Sequence, residues 1–299
     1  MEGRLIRAKF KDPILEEAFE RDGYVVIKNM VSKQVIKEMM GLFTHHYQPP
    51  AQKIVSWNTA AMLGEEEKNH ISSELMKNLT PALDSIIDDY TPPFAYFLTK
   101  PAEKTATDIP IHRDASAVDE KKSEYLIFWM PLVDLNKENG CLYVMPGSNK
   151  LFSYELPFAV DWPYKYLSKD LEAYKVDLKL RAGDAVIFSG KTLHGSYPNV
   201  SDSPRPAVCC GLIDPTTQLL YYYFNRSNNT VETYDVKPDF FLQCDFSEPK
   251  EKYPLRFSFE YKPPVMQPKD ISYFYKKNWS LYKDNFNLLT RFKTKYFSN

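Results

Sequence analysis

Pro110-Ile111-His112-Arg113-Asp114 and, further along, Thr192-Leu193-His194-Gly195-Ser196 are the stretches on which the reading of this chain turns. His112 and Asp114 lie two positions apart. Residues i and i+2 of a strand face the same side, so both side chains can reach one ion from one strand end. A third donor has to come from elsewhere in the fold, and His194 follows the apolar run Ala185-Val186-Ile187-Phe188 closely. Two neutral imidazoles and one carboxylate on one face of a metal leave coordination positions open, the arrangement suited to iron(II) and oxygen chemistry. The same three donors also suit zinc. Arg205, eleven positions after His194, supplies the next clue. A guanidinium fork matches a carboxylate bidentately, better than an ammonium does. Arg205 is therefore the expected anchor for a dicarboxylate co-substrate, 2-oxoglutarate. A 2-oxoacid can chelate the metal through its other carboxylate and keto oxygen, which leaves a position for O2. Arg113, between two ligands, should point away from the metal. The remaining histidines, His45, His46 and His70, fall on expected helices and are read as non-ligands.

Around these motifs the chain divides by pattern. Residues 1–90 read mostly helical. Asp12 caps a helix with Pro13 at its first position. Gly23 to Ile27 is a short strand, and Ser32 caps a second helix whose apolar positions Val35, Ile36, Met39, Met40 and Phe43 recur at helical spacing. Glu65 to Leu79 and Pro81 to Asp89 are read as two further helices. Residues 91–224 read as strands and turns: Phe94 to Leu98, Glu124 to Leu132, Leu142 to Met145, Ala185 to Phe188, Ala207 to Ile213 and Leu219 to Phe224. Short strands separated by Gly/Pro turns indicate a sandwich or barrel, with a jelly roll the best fit. Residues 225–299 are aromatic-rich and end in a helical pattern, with Trp279, Tyr282, Phe286 and Leu289 on one face. Core packing is the expected use of that stripe. The segment is a candidate lid or dimer contact.

Composition narrows the function classes. Lys+Arg 38 against Asp+Glu 39 leaves no basic excess for nucleic acid and no acidic tail. A 43% hydrophobic share, with 21 Tyr and 19 Phe, supports a packed core. No window is long and apolar enough for a membrane span, and the first residues lack a signal pattern. Cys141, Cys209, Cys210 and Cys244 have no zinc-type spacing and read as buried free thiols in a reducing compartment, hence a cytoplasmic expectation.

Beyond the metal motif the chain resembles the phytanoyl-CoA dioxygenase family of iron(II)/2-oxoglutarate oxygenases. The resemblance rests on Arg21-Asp22-Gly23-Tyr24-Val25-Val26-Ile27, on Leu98-Thr99-Lys100-Pro101, on Trp129-Met130-Pro131-Leu132-Val133-Asp134 and on Asn139-Gly140-Cys141-Leu142-Tyr143-Val144-Met145-Pro146-Gly147-Ser148. Arg181-Ala182-Gly183-Asp184 and His194-Gly195-Ser196 complete it. It spans residues 15–214, and the rest of the chain carries no family motif.

The resemblance implies an α+β, mainly β fold: a double-stranded β-helix (jelly roll, cupin-like). With the pattern of the rest of the chain, the expectation is one catalytic domain, 1–299, with N-terminal helices packed on that core and a C-terminal helical extension. It implies iron bound by His112, Asp114 and His194, and 2-oxoglutarate bound by Arg205 and Ser196. Trp129 matches a position on the co-substrate wall. Tyr96 falls where the family has another co-substrate contact, although the residue type departs from the pattern. Family-like halogenases lack the carboxylate ligand. Asp114 therefore favours hydroxylation, with desaturation or ring closure as further outcomes. The expected substrate is a small organic metabolite, with specialised metabolism within the family's range. The expected chain is a monomer or homodimer without a nucleic-acid partner. Two other classes stay open: a non-catalytic jelly-roll binding protein and a hydroxylase of protein side chains. Ser56-Trp57-Asn58 and Tyr221 to Arg226 are candidates for the pocket rim by elimination.

Overall fold

The computed structural model describes residues 9–283 except 53, 103–107, 152–153, 159, 161, 244–245, 247–248 and 250–251. Two antiparallel sheets face each other. The larger has six strands in the order β1-β8-β5-β10-β3-β2. These are β1 (Tyr24–Ile27), β2 (Trp57–Asn58), β3 (Tyr96–Lys100), β5 (Leu126–Pro131), β8 (Ala185–Ser189) and β10 (Arg205–Leu212). The smaller runs β4-β9-β6-β7 and is built from β4 (Ile109–His112), β6 (Leu142–Val144), β7 (Val176–Asp177) and β9 (His194–Ser196). From β3 to β10 the chain crosses back and forth between the sheets, with only β6 and β7 following each other within the smaller one, in the winding of a double-stranded β-helix, as expected.

Strand alternation decides what each face meets. Leu126, Phe128 and Met130 of β5 turn outward into a core covered by α1 (Pro13–Asp22), α2 (Lys33–His46) and α4 (Glu65–Ile86). Trp129, with Phe188, Ala207 and Cys209, turns inward between the sheets. Cys209 and Cys210 thus face opposite sides, and Cys141, Cys209 and Cys210 are buried free thiols. Cys244 lies outside the described residues.

The helix caps follow local chemistry. The Asp12 carboxylate accepts from Ile14 N at 2.8 Å, and the Ser32 hydroxyl accepts from Val35 N at 3.3 Å. Gly23 ends α1 with φ +76°, a left-handed cap where Asn149 and Thr192 press against the Cα and leave no room for a side chain.

Two elements differ from expectation. Residues 65–86 form one helix that continues through Pro81. Leu75, Leu79 and Leu83 are each at most 1% exposed, and their shared stripe holds the helix on the sheet across the proline. Pro81 and Lys77 are both exposed, so the missing N–H lies on the solvent side of the helix, away from its buried stripe. The strand at 219–224 does form, as β11 (Leu219–Asn225). It joins β12 (Thr230–Val236) and β13 (Leu255–Glu260) in a separate three-stranded sheet outside the jelly roll.

The short helices α3 (Thr59–Met62), α5 (Ser168–Leu171) and α6 (Asp239–Gln243) fill connections. The last helix, α7 (Pro268–Lys283), lays Ile271, Tyr275 and Tyr282 against Ile111, Tyr143, Met145 and Leu193, the outer face of the small sheet. Trp279 lies on this helix, while Phe286 and Leu289 are outside the described residues. Among the described residues no helix is long and apolar enough to cross a membrane.

Candidate active site

The end of β4 and the start of β9 are antiparallel neighbours with His112 opposite His194 in register. Asp114 follows β4 and is fixed by its backbone N–H donating to Gly190 O at 3.2 Å. The three side chains therefore converge. One ligand atom from each of His112, Asp114 and His194 lies within 4.8 Å of the others. His112 Nε2 is 4.0 Å and His194 Nε2 is 3.9 Å from Asp114 Oδ1. Arg113 points the other way, as expected. Its guanidinium is buried against Glu120 and donates to Tyr154 O at 3.0 Å and Asp114 O at 3.3 Å.

Each imidazole is oriented by its own backbone. His112 Nδ1 donates to Pro110 O at 2.9 Å, and His194 Nδ1 donates to Thr192 O at 3.0 Å. A carbonyl only accepts, so each Nδ1 carries a proton and each ring turns its Nε2 toward the shared centre. This is how metal-binding histidines are commonly oriented. Burial, then the neighbouring His194, pushes the His112 pKa down to about 4, which keeps the ring neutral near pH 7. Two imidazole nitrogens and a carboxylate suit a divalent ion such as iron(II).

The cavity behind these ligands, about 120 Å³, is walled by the two sheets. Tyr96, Trp129, Ser196 and Arg205 all line it with the three ligands, so every candidate site residue meets in one place. Arg205 is 2% exposed, yet its Nε and Nη1 have no hydrogen-bond partner among the described residues. Ser196, 1% exposed, likewise leaves Oγ unpartnered. A buried guanidinium without an acceptor is costly, and native structures rarely leave one without a reason. Burial lowers its pKa only to about 10, so Arg205 remains a cation. Its guanidinium carbon stands 5.1 Å from the Trp129 ring centroid. These orphaned donors fit a carboxylate, and the residues present fit both an iron(II) ion and 2-oxoglutarate.

Gly195, between ligand and hydroxyl, is required by close approach, because a Cβ there would strike the Tyr143 ring and Ile109 O.

Sequence reading missed Leu98, Ile127, Leu142, Phe188 and Cys209, which complete the walls. Parity could have found several of them: Ile127 shares a strand face with Trp129, and Cys209 shares one with Arg205. It also missed Lys100, fully buried beside Arg205 in register. Burial, then the Arg205 charge, pushes its pKa down to about 7. Lys100 Nζ donates to Tyr197 O at 2.5 Å. The two rim candidates lie elsewhere. Trp57 packs on Phe43 and Tyr47 in the outer core, and Tyr221 and Tyr222 are buried on β11 of the separate three-stranded sheet.

A double-stranded β-helix with two histidines and an aspartate gathered at its mouth defines the class: a jelly roll with a facial metal site. The chain belongs to the phytanoyl-CoA dioxygenase (PhyH) family, whose model matches residues 19–207. The peroxisomal phytanoyl-CoA dioxygenase of Rattus norvegicus is 24% identical over 220 residues, 64% of this chain and 65% of the relative. The chain thus matches slightly under two thirds of that protein's length. Among solved structures, the epimerase SnoN in complex with Fe3+, alpha ketoglutarate and nogalamycin RO superposes with TM-score 0.50 at 23% identity, over 70% of this chain and 87% of SnoN. The non-heme alpha ketoglutarate dependent carbocyclase SnoK gives TM-score 0.51 at 19% identity, over 70% and 86%. These structural likenesses establish the fold.

Proposed function

We propose that this protein is an iron(II)- and 2-oxoglutarate-dependent dioxygenase that oxidises a small organic metabolite and releases succinate and CO2. His112, Asp114 and His194 hold the metal. Arg205 and Ser196 hold the distal carboxylate of 2-oxoglutarate, with Trp129 and Tyr96 as walls. The observation that carries the reading is the pair of buried, unpartnered groups, Arg205 and Ser196, in the same cavity as the three metal donors. Bound iron supplies oxidative decarboxylation of the 2-oxoacid coupled to attack on a substrate C–H bond. The chain's own part is to orient both imidazoles through Pro110 O and Thr192 O and to compensate the co-substrate's charge with Arg205. The apolar walls Leu98, Ile127, Leu142 and Phe188 limit water in the cavity. An intact carboxylate at Asp114 supports hydroxylation, desaturation or cyclisation over halogenation. The buried thiols support a cytoplasmic setting, and the nogalamycin-related neighbours prompt a specialised metabolite as substrate. A zinc-holding or non-catalytic jelly roll is the competing reading.

The test is anaerobic. Metal-free protein receives iron(II), then 2-oxoglutarate, and the weak visible charge-transfer band of the chelate is followed. The band should appear and should need far more 2-oxoglutarate in Arg205→Ala. No band, together with zinc or no metal by elemental analysis, would overturn the reading.

A further inference from the structure

Outside the family-matched region, the three-stranded sheet ends in an open edge. β13 pairs with β12 on one side, and among the described residues no strand pairs on the other. Its sequence is Leu255-Arg256-Phe257-Ser258-Phe259-Glu260, and every residue but Phe259 is exposed. Leu255 is 56% and Phe257 41% exposed. An exposed, alternating apolar strand with unpaired backbone groups is a template for another strand.

The ladder shows which groups are free. Tyr261 N donates to Asn229 O at 3.0 Å, and Phe259 and Phe257 stand opposite Val231 and Thr233. In an antiparallel ladder alternate residues turn their N–H and C=O to opposite sides. Odd positions from 257 to 261 therefore face β12, while Ser258 and Glu260 offer N–H and C=O to the open edge. The opposite edge of the sheet is covered: Phe158 N donates to Tyr222 O and Leu220 N to Ala117 O.

We infer that β13 is a self-association edge that pairs antiparallel with β13 of a second copy of this chain, centred on Ser258. The charge pattern selects this partner. With Ser258 opposite Ser258, Arg256 falls opposite Glu260 and Glu260 opposite Arg256, on the serine's side of the strand. On the other side, Phe257 falls opposite Phe259, extending an aromatic pair whose rings already lie 6.1 Å apart within one strand. Opposite charges and aromatic pairs in cross-strand positions are stabilising, and like charges there are destabilising. Within the chain Arg256 pairs with Asp235 and Glu260 with Lys262, both exposed pairs that leave the charges accessible. The product is one continuous six-stranded sheet across a two-fold axis.

Sedimentation velocity of the full chain over a concentration series tests this. The native chain should show a reversible dimer. Ser258→Pro, which removes an outward N–H at an edge position, should leave monomer with an unchanged circular dichroism spectrum. Arg256→Glu and Glu260→Arg should each weaken the dimer several-fold, and the double exchange should restore it. A chain that is monomeric at every concentration overturns the inference. So does a dimer that ignores Ser258→Pro and both single exchanges, because its interface then lies elsewhere. If Ser258→Pro fails to fold, the charge exchange decides alone: singles and double weakened alike count against the pairing.

Discussion

Arg113 and Arg205 are both 2% exposed, yet their surroundings are opposite in kind. Behind the ligand loop, the Arg113 guanidinium meets Glu120, Tyr154 O and Asp114 O. Ser116 joins the same network: its hydroxyl donates to Glu120 at 2.6 Å and accepts from Leu156 N at 2.8 Å. At the cavity, Arg205 leaves two nitrogens without an acceptor among the described residues. A buried charge that is fully engaged belongs to the scaffold. One left open belongs to a ligand. The same residue type, equally buried, thus serves the fold in one place and is proposed for binding in the other.

The largest expected effect lies on the engaged side. Arg113→Met should strand Glu120 and destabilise the fold by ~3–5 kcal/mol, while pairing it with Glu120→Leu should recover most of the loss. Denaturant unfolding measures both, and a single variant as stable as the native chain would erase the contrast.

On the open side, Arg205→Met should leave the ligand-free melting temperature unchanged or raised. It should also weaken 2-oxoglutarate binding about a hundredfold, ~2–3 kcal/mol for a charge-assisted pair. Calorimetry beside a melting curve reads the split, and a large stability loss without an affinity loss would put Arg205 in the scaffold.

Ser196→Ala should cost the co-substrate ~0.5–1.5 kcal/mol, a several-fold loss at unchanged stability; titration of the visible band reads it.

Smaller still is a pH effect through Lys100. Its pKa is lowered to about 7 by burial and then by Arg205. A carboxylate on Arg205 cancels part of that repulsion and raises the Lys100 pKa. Binding therefore takes up protons. Affinity should be steady below pH 7 and fall by a few-fold as pH rises above it. Lys100→Met should flatten the curve.

How far the sequence reached follows the same division. The strands carrying His112 and His194 and the caps at Asp12 and Ser32 were legible because spacing and local hydrogen-bond chemistry set them, whereas the wall position of Trp129 was only what the family resemblance implied. Pro81 misled, because a break signal acts on local energies whereas Leu75, Leu79 and Leu83 hold the helix by tertiary burial. Trp57 and the 221–226 run were placed at the rim by elimination, although aromatic side chains have more apolar area to bury than a rim can hide. Lys100 was invisible as a buried cation because nothing in a sequence announces that a lysine's neighbours will exclude water.

The helix at residues 268–283 carries one more implication. Its Ile271, Tyr275 and Tyr282 back the strands whose opposite face presents the ligands, and Gly147 has no room for a side chain because the Tyr282 ring fills that space. The family match ends at residue 207, but the wall behind the candidate metal ligands is completed at residue 282. Family match and physical support draw different borders on this chain, so a fragment trimmed to residues 19–207 would keep all three candidate ligands and lose the helix that backs their strands.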